Sequence, residues 1–289
     1  MEPETFAFNH ETWKYDRLNA YWLAHAAKLA YADPATVTQT AQAWGFPRCK
    51  FFSKQVKFPV VDTQAYTIAN DKLIITAFRG TEPNQLRDWL TDARAITVPG
   101  PKGLGRIHFG FNHALNAIYE DVKQTLLQFQ DNGQTLWFTG HSLGAALTVL
   151  AARRLQLEDE RYFPRGIYTF GQPRTGDAEF AQEFDSRLQS VTYRFVNNND
   201  MVTHLPLDKL LNNKVASSFV PAALRGFKHV GQFRYFDAQG LFCEELSMWD
   251  QVKQTLAGLI DEQGRFKFDG ADDHSMINYV ANLKKCLTA

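Results

Sequence analysis

The chain has 289 residues with 45% apolar and 13% aromatic content, enough to bury a substantial core in one large α/β domain. Its 31 lysines and arginines balance 31 aspartates and glutamates, which excludes a general electrostatic attraction to nucleic acid or to an anionic membrane. The three cysteines, Cys49, Cys243 and Cys286, stand far apart, a spacing that suits neither a zinc ribbon nor a disulfide framework and suits thiols in a reducing compartment.

The first residues, MEPETFAFNHETWKYD, hold no basic stretch followed by an apolar one. Cytoplasmic residence is therefore expected. Residues 16 to 31 place Leu18, Tyr21, Trp22, His25 and Leu29 at helical spacing, so a helix is predicted that stops before Asp33-Pro34, with His25 packing on its apolar side. After a loop through GFPRCK, the runs VVDTQAYTIA and KLIITAFRG read as two strands of a hairpin turning at Asn70-Asp71. Prolines and glycines from residue 83 to 105 surround one short helical piece, QLRDWLTDARA, the composition of a long loop that carries a lid or binds a ligand. A helix is predicted from Phe111 to Phe129, then a turn at Asp131-Asn132-Gly133 and a strand, TLWFTG.

Beyond the next helix, AALTVLAARRL, the runs GIYTFG, AEFAQEFDSRL and SVTYRFV alternate as strand, helix and strand. Such alternation marks a mainly parallel sheet with helices on both faces, whose chemistry lies beyond the strand C-termini. GQFRYFDAQGLFCEE reads as a further hairpin, LSMWDQVKQTLAGLI as a helix and SMINYVANLKK as the last helix. No repeat or composition break interrupts residues 1–289, which read as one domain. The longest apolar run near the glycines, AALTVLAA, is too short to span a bilayer. Any membrane contact is then peripheral, at a lipid interface.

One short motif carries chemistry. Gly140-His141-Ser142-Leu143-Gly144 sits between a predicted strand and a predicted helix, where its glycines allow a tight turn that lifts the serine hydroxyl out of the chain. The helix N-terminus behind it favours developing negative charge, and the Leu143 N–H is placed to serve as an oxyanion donor. A serine nucleophile needs an imidazole to take its proton and a carboxylate to orient that imidazole. Asp200 follows a strand, in VNNNDMV, whereas Asp177 stands where an N-cap belongs. Of the eight histidines, His204, His229 and His274 follow the acid and remain open as the base; His141 packs or hydrogen-bonds behind the turn. No HExxH or phosphate-binding loop is present, so no metal or organic cofactor is expected.

The ordered set FRGT (78–81), HFGF (108–111), GHSLGAAL (140–147), FGQPRTGD (170–177), NNNDMVTHLP (197–206) and DDHSMINY (272–279) resembles the fungal-type, or class 3, lipase family. The resemblance implies an α/β-hydrolase fold and hydrolysis of carboxylic esters, often acylglycerols. It also implies Ser142 as nucleophile, Asp200 as triad acid, His274 as base, and Thr81 beside Leu143 in the oxyanion hole. It further implies a lid over residues 82–98, with Trp89 as its aromatic. MVTHLP departs from the family where a proline and a basic residue are common, and the missing leader and cysteine pairs set the chain apart from secreted fungal members. An esterase for soluble or aromatic, feruloyl-type esters and a non-catalytic lipase-like scaffold are the alternatives to a lipase.

Overall fold

The computed structural model describes residues 5–57, 60–81, 97–205, 226–243 and 272–288. Within them the chain runs α1 (Arg17–Leu29), α2 (Pro34–Ala43), β1 (Arg48–Lys57), β2 (Val60–Ala69), β3 (Leu73–Phe78), β4 (Thr97–Pro99), β5 (Arg106–His108) and α3 (Phe109–Phe129). It continues through β6 (Thr135–His141), α4 (Leu143–Glu158), β7 (Gly166–Phe170), α5 (Ala178–Leu188), β8 (Thr192–Asn197), β9 (Gln232–Phe236), β10 (Phe242–Cys243) and α6 (Met276–Thr288).

The main sheet has the order β1-β2-β3-β6-β7-β8-β9-β10. Strands β3, β6, β7, β8 and β9 pair in parallel, while β1, β2 and β10 add antiparallel edges. Parallel strands covered on both faces should be apolar throughout. Every residue of β3, β7 and β8 is accordingly buried.

Alternation along the strands divides the core in two. Ile74, Phe78, Leu136, Phe138 and Ile167 pack on one face with α3, α4 and α5. Ile75, Trp137, Tyr168, Phe170 and Phe195 pack on the other with α1, α2 and α6. Each fully buried Leu, Ile or Phe contributes roughly 1.5–3 kcal/mol to this arrangement.

Two elements depart from the sequence reading. Asp33-Pro34 does stop the first helix, yet it also begins a second: the Asp33 carboxylate accepts from the Ala35 and Thr36 N–H groups, and Pro34 occupies the first helical turn, where its missing N–H is harmless. Residues 48–50, read as part of a loop through GFPRCK, instead begin the strand β1, which lies in full antiparallel register with β2. The helical piece QLRDWLTDARA with Trp89, and the predicted helix LSMWDQVKQTLAGLI, lie outside the described residues; of the expected lid segment, residues 97–98 belong to β4, paired with β5. No described helix is long and apolar enough to cross a membrane.

Candidate active site

At the C-terminal end of β6 the chain reverses into α4 through Ser142, which has φ 56° and ψ −127°. That backbone is unfavourable for any residue with a Cβ, and close packing around it holds it in place. A side chain on Gly140 would strike the Gly144 carbonyl and the Thr148 hydroxyl, and one on Gly144 would strike the backbone of Phe78 and Arg79. The glycines thus let α4 press against β3 and β6. The Thr148 hydroxyl, 2.8 Å from the Thr139 carbonyl, ties helix to strand, and the Ser142 N–H donates to the Phe170 carbonyl of β7 at 3.0 Å.

The FRGT segment ends beside the serine. A Cβ on Gly80 would meet the Tyr31 hydroxyl, the His141 carbonyl and, at 2.9 Å, the Ser142 Cβ. Only glycine allows this approach. Thr81 follows directly after Gly80, and Leu143 opens α4 on the other side of the serine.

The acid stands on the loop after β8. The Asp200 side chain is fully buried and caps the turn Met201–His204 by accepting from the Val202 N–H at 3.0 Å. His274, one turn ahead of α6, brings its Nδ1 to 2.8 and 2.9 Å from the two Asp200 oxygens. A carboxylate only accepts, so Nδ1 carries the proton in this pair and Nε2 faces away. Tyr279, on the first turns of α6, donates its hydroxyl to Asp200 Oδ2 at 2.7 Å and accepts from the Asn197 N–H at 3.0 Å. Burial pushes the Asp200 carboxyl upward, but His274 beside it and the hydrogen bonds from His274 and Tyr279 outweigh that, holding it below its ordinary value.

Room for the pair comes from Gly171, just past β7. It has φ +57°, and a Cβ there would lie 2.7 Å from Asp200 Oδ2 and 2.8 Å from His274 Nδ1. Two buried atoms at this edge, Ser142 Oγ and His274 Nε2, have no hydrogen-bond partner among the described residues.

The other candidates lie elsewhere. Asp177 caps α5 through the Phe180 N–H, as its position before that helix suggests. His204 follows Asp200 on the same turn and its carbonyl accepts from Arg174 Nη1 at 2.6 Å; burial lowers its pKa to about 4. His229 is held well below its ordinary value, by burial first and then by Arg194 and Arg174. Neither histidine hydrogen-bonds Asp200 among the described residues. His141 reaches behind the turn, its Nε2 2.7 Å from the His274 carbonyl and its Nδ1 2.7 Å from the Tyr31 hydroxyl.

Sequence reasoning gave no role to Gly171, Tyr31 or Tyr279. Gly171 stood in a quoted motif, at the end of a buried strand where a glycine marks close approach. Tyr279 lay within DDHSMINY, but nothing local distinguishes a hydroxyl aimed at a carboxylate from an aromatic packed in a helix face. Among the described residues no group of three histidines, cysteines or carboxylates is arranged to hold a metal ion.

Residues 75–210 match the family model described as Lipase (class 3). A lipase of Rhizomucor miehei is 34% identical over 181 residues, which cover 60% of this chain and 45% of that protein. A triacylglycerol lipase of Arabidopsis thaliana is 29% identical over 235 residues, covering 63% of this chain and 45% of that protein. The chain thus spans about half the length of these curated relatives. The solved structure of the Rhizomucor miehei triacylglyceride lipase superposes with a TM-score of 0.60 at 26% identity, covering 85% of this chain and 93% of that one.

These comparisons correct one expectation. Relatives from Malassezia restricta and Penicillium cyclopium, 32% and 31% identical over shorter stretches, are named as secreted lipases, which overturns the cytoplasmic residence expected from the first residues. A leader acts before folding, so the residues that build the core and the site carry no imprint of it. The match over residues 75–210 and the mostly parallel sheet with helices on its two faces lead to one conclusion: those residues match the class 3 lipase family, and the chain has the α/β-hydrolase fold.

Proposed function

We propose that the chain hydrolyses carboxylic esters of acylglycerols or related lipids through an acyl-enzyme. Ser142 attacks the ester carbonyl, His274 Nε2 takes the hydroxyl proton, and Asp200 orients the imidazole and stabilises the cation that forms. The backbone N–H groups of Thr81 and Leu143 receive the developing oxyanion, aided by the N-terminal dipole of α4. His274 then returns its proton to the leaving alcohol. Water, activated by the same imidazole, releases the acid.

One observation carries this reading: a buried carboxylate holds Nδ1 of His274 at 2.8 Å, while His274 Nε2 and Ser142 Oγ are buried and have no hydrogen-bond partner among the described residues. A buried polar atom without a partner is costly in a protein that gains nothing from it. Here each is the atom that must exchange a proton with the other. Acylglycerols as substrates follow from the names of the relatives, which include triacylglycerol and mono- and diacylglycerol lipases. Contact with a lipid interface is peripheral in this reading.

A fluorophosphonate probe should label the wild type and not Ser142→Ala, and His274→Ala should lower turnover of p-nitrophenyl esters by roughly 10⁴-fold or more. Full esterase activity in Ser142→Ala would remove the nucleophile assignment. A panel of triacylglycerol, monoacylglycerol, phospholipid and galactolipid, set beside short and aromatic monomeric esters, tests the substrate class. Preference for soluble aromatic esters would replace the lipase reading with an esterase.

A further inference from the structure

We infer that His141 is a positioning residue: bridging Tyr31 and the backbone of His274, it fixes the separation of nucleophile and base. The inference rests on the acyl-enzyme reading above and adds a residue to it.

The hydrogen bonds determine the state of the ring. A backbone carbonyl only accepts, so the 2.7 Å contact between His141 Nε2 and the His274 carbonyl requires a proton on Nε2. In the neutral imidazole Nδ1 then keeps its lone pair, which receives the Tyr31 hydroxyl proton at 2.7 Å. Both ring nitrogens are engaged and the tautomer is fixed from both ends. Burial, with the nearby His274 adding to it, lowers the His141 pKa to about 3, so the ring stays neutral at any pH where an ester hydrolase of this kind would turn over.

Neutrality matters because the His141 and His274 rings lie with centroids 4.3 Å apart and planes inclined by 35°. A cation at that distance in a buried site would oppose the imidazolium that His274 becomes during acyl transfer. A neutral ring gives it a surface to rest on.

Placement in the chain makes the grip specific. His141 is joined by one peptide bond to Ser142, so its hold on His274 links nucleophile and base without any intervening element. On the far side Asn197 Nδ2 donates to the Asp273 carbonyl at 2.9 Å. Consecutive carbonyls, 273 and 274, are therefore each fixed by a side chain from a different strand end. Tyr31 reaches the site from beyond α1 and also lies against Gly80, which brings the FRGT segment into the same packing unit.

The test compares His141→Phe, which keeps a ring and loses both hydrogen bonds, with His141→Gln, which keeps a donor near the Nε2 position, and with Tyr31→Phe. On a p-nitrophenyl ester, His141→Phe should lower kcat by about 100-fold with KM nearly unchanged, as expected for a displaced base. His141→Gln should recover about tenfold of that loss. Tyr31→Phe should fall between wild type and His141→Phe. Independently of turnover, ¹⁵N NMR of the wild-type imidazoles should show Nε2 protonated and Nδ1 bare on His141 at neutral pH.

Full kcat in His141→Phe, equal losses in the Phe and Gln variants, or an Nδ1–H tautomer would each overturn the inference. A wild type without Ser142-dependent turnover would instead remove the acyl-enzyme reading, while the NMR result would still report on the grip itself. Should His141→Phe fail to fold, the Gln variant and the tautomer decide.

Discussion

Between Gly140 and Gly144 the serine turn draws on five consecutive residues, with its geometry imposed by backbone packing against β3 and β7. The pair beside it joins Asp200 and His274, 74 positions apart, through side chains from β8, its following loop and α6. Ser142 sits in a strained conformation, its hydroxyl without a hydrogen-bond partner among the described residues. Asp200 sits in a satisfied one, accepting from His274, Tyr279 and the Val202 N–H. The contrast teaches that the serine is held by backbone packing in a strained turn, while the Asp200 carboxylate is held by hydrogen bonds. Perturbations should therefore act on the two halves with different size, sign and pH range.

The largest effect is expected where shape is filled. Gly144→Ala places a methyl group against the backbone of Phe78 and Arg79, and neither can rotate away. The first turn of α4 must retreat, at a cost of about 3 kcal/mol in stability and about 100-fold in turnover. Urea denaturation and ester kinetics read both losses; a variant with wild-type values would show that α4 does not depend on this approach.

Next comes removal of one hydrogen bond from the satisfied half. Tyr279→Phe leaves Asp200 Oδ2 without its 2.7 Å donor and should cost about 2 kcal/mol, because the acceptor is a buried charge. The packing of the ring against Phe170 at 5.7 Å is retained, which separates the hydroxyl from the aromatic body. A cost near zero in chemical denaturation would mean that His274 and the Val202 N–H suffice.

How much of this was legible follows from the same contrast. The serine turn is local, so Gly-x-Ser-x-Gly between an apolar run and a helical one displays it in the sequence itself. The partners of Asp200 are distant, and position after the acid left His204, His229 and His274; the place of His274 where a loop meets the last helix favoured it, and the ordered family motifs strengthened that choice. Tyr279 and Gly171 escaped because their importance exists only once α6 and β7 meet at the sheet edge. Strand β1 escaped for another reason: RCKFFSKQVK intersperses lysines among apolar residues, as suits an edge strand with one solvated face, and that pattern resembles a polar loop. Strands β3, β6, β7 and β8, buried on both sides, could scarcely be misread.

Acid should distinguish His141 from Asp200 by the pH at which each begins to yield. His141 of the serine turn is lowered from 6.5 to about 3, chiefly by burial. Below pH 6.5 the unfolded chain binds a proton there that the folded chain refuses, so stability falls as pH drops from 6.5 toward 3, by about 1.4 kcal/mol per pH unit. Asp200, lowered from 3.8, behaves differently. Its contribution is complete above that value and is lost only as pH falls through the lower folded one. Denaturation midpoints at stepped pH should show His141→Gln losing less stability than wild type between pH 6.5 and the Asp200 range. Parallel curves would mean that His141 takes a proton in the folded state.

The smallest effect has the opposite sign. With φ 56° and ψ −127°, Ser142 occupies a region that costs a residue with a side chain roughly 1–3 kcal/mol. Glycine removes that strain, while the more flexible unfolded chain takes back about 0.5–1 kcal/mol. Ser142→Gly should therefore be more stable than wild type by about 1 kcal/mol, and Ser142→Ala, which keeps the Cβ and its strain, should gain less. Both should be inactive. Asp200→Ala should lose stability along with activity, because it strips acceptors from three donors at once. If Ser142→Gly is instead destabilised in urea, the turn is not strained by its Cβ, and the difference between a half held by shape and a half held by hydrogen bonds disappears.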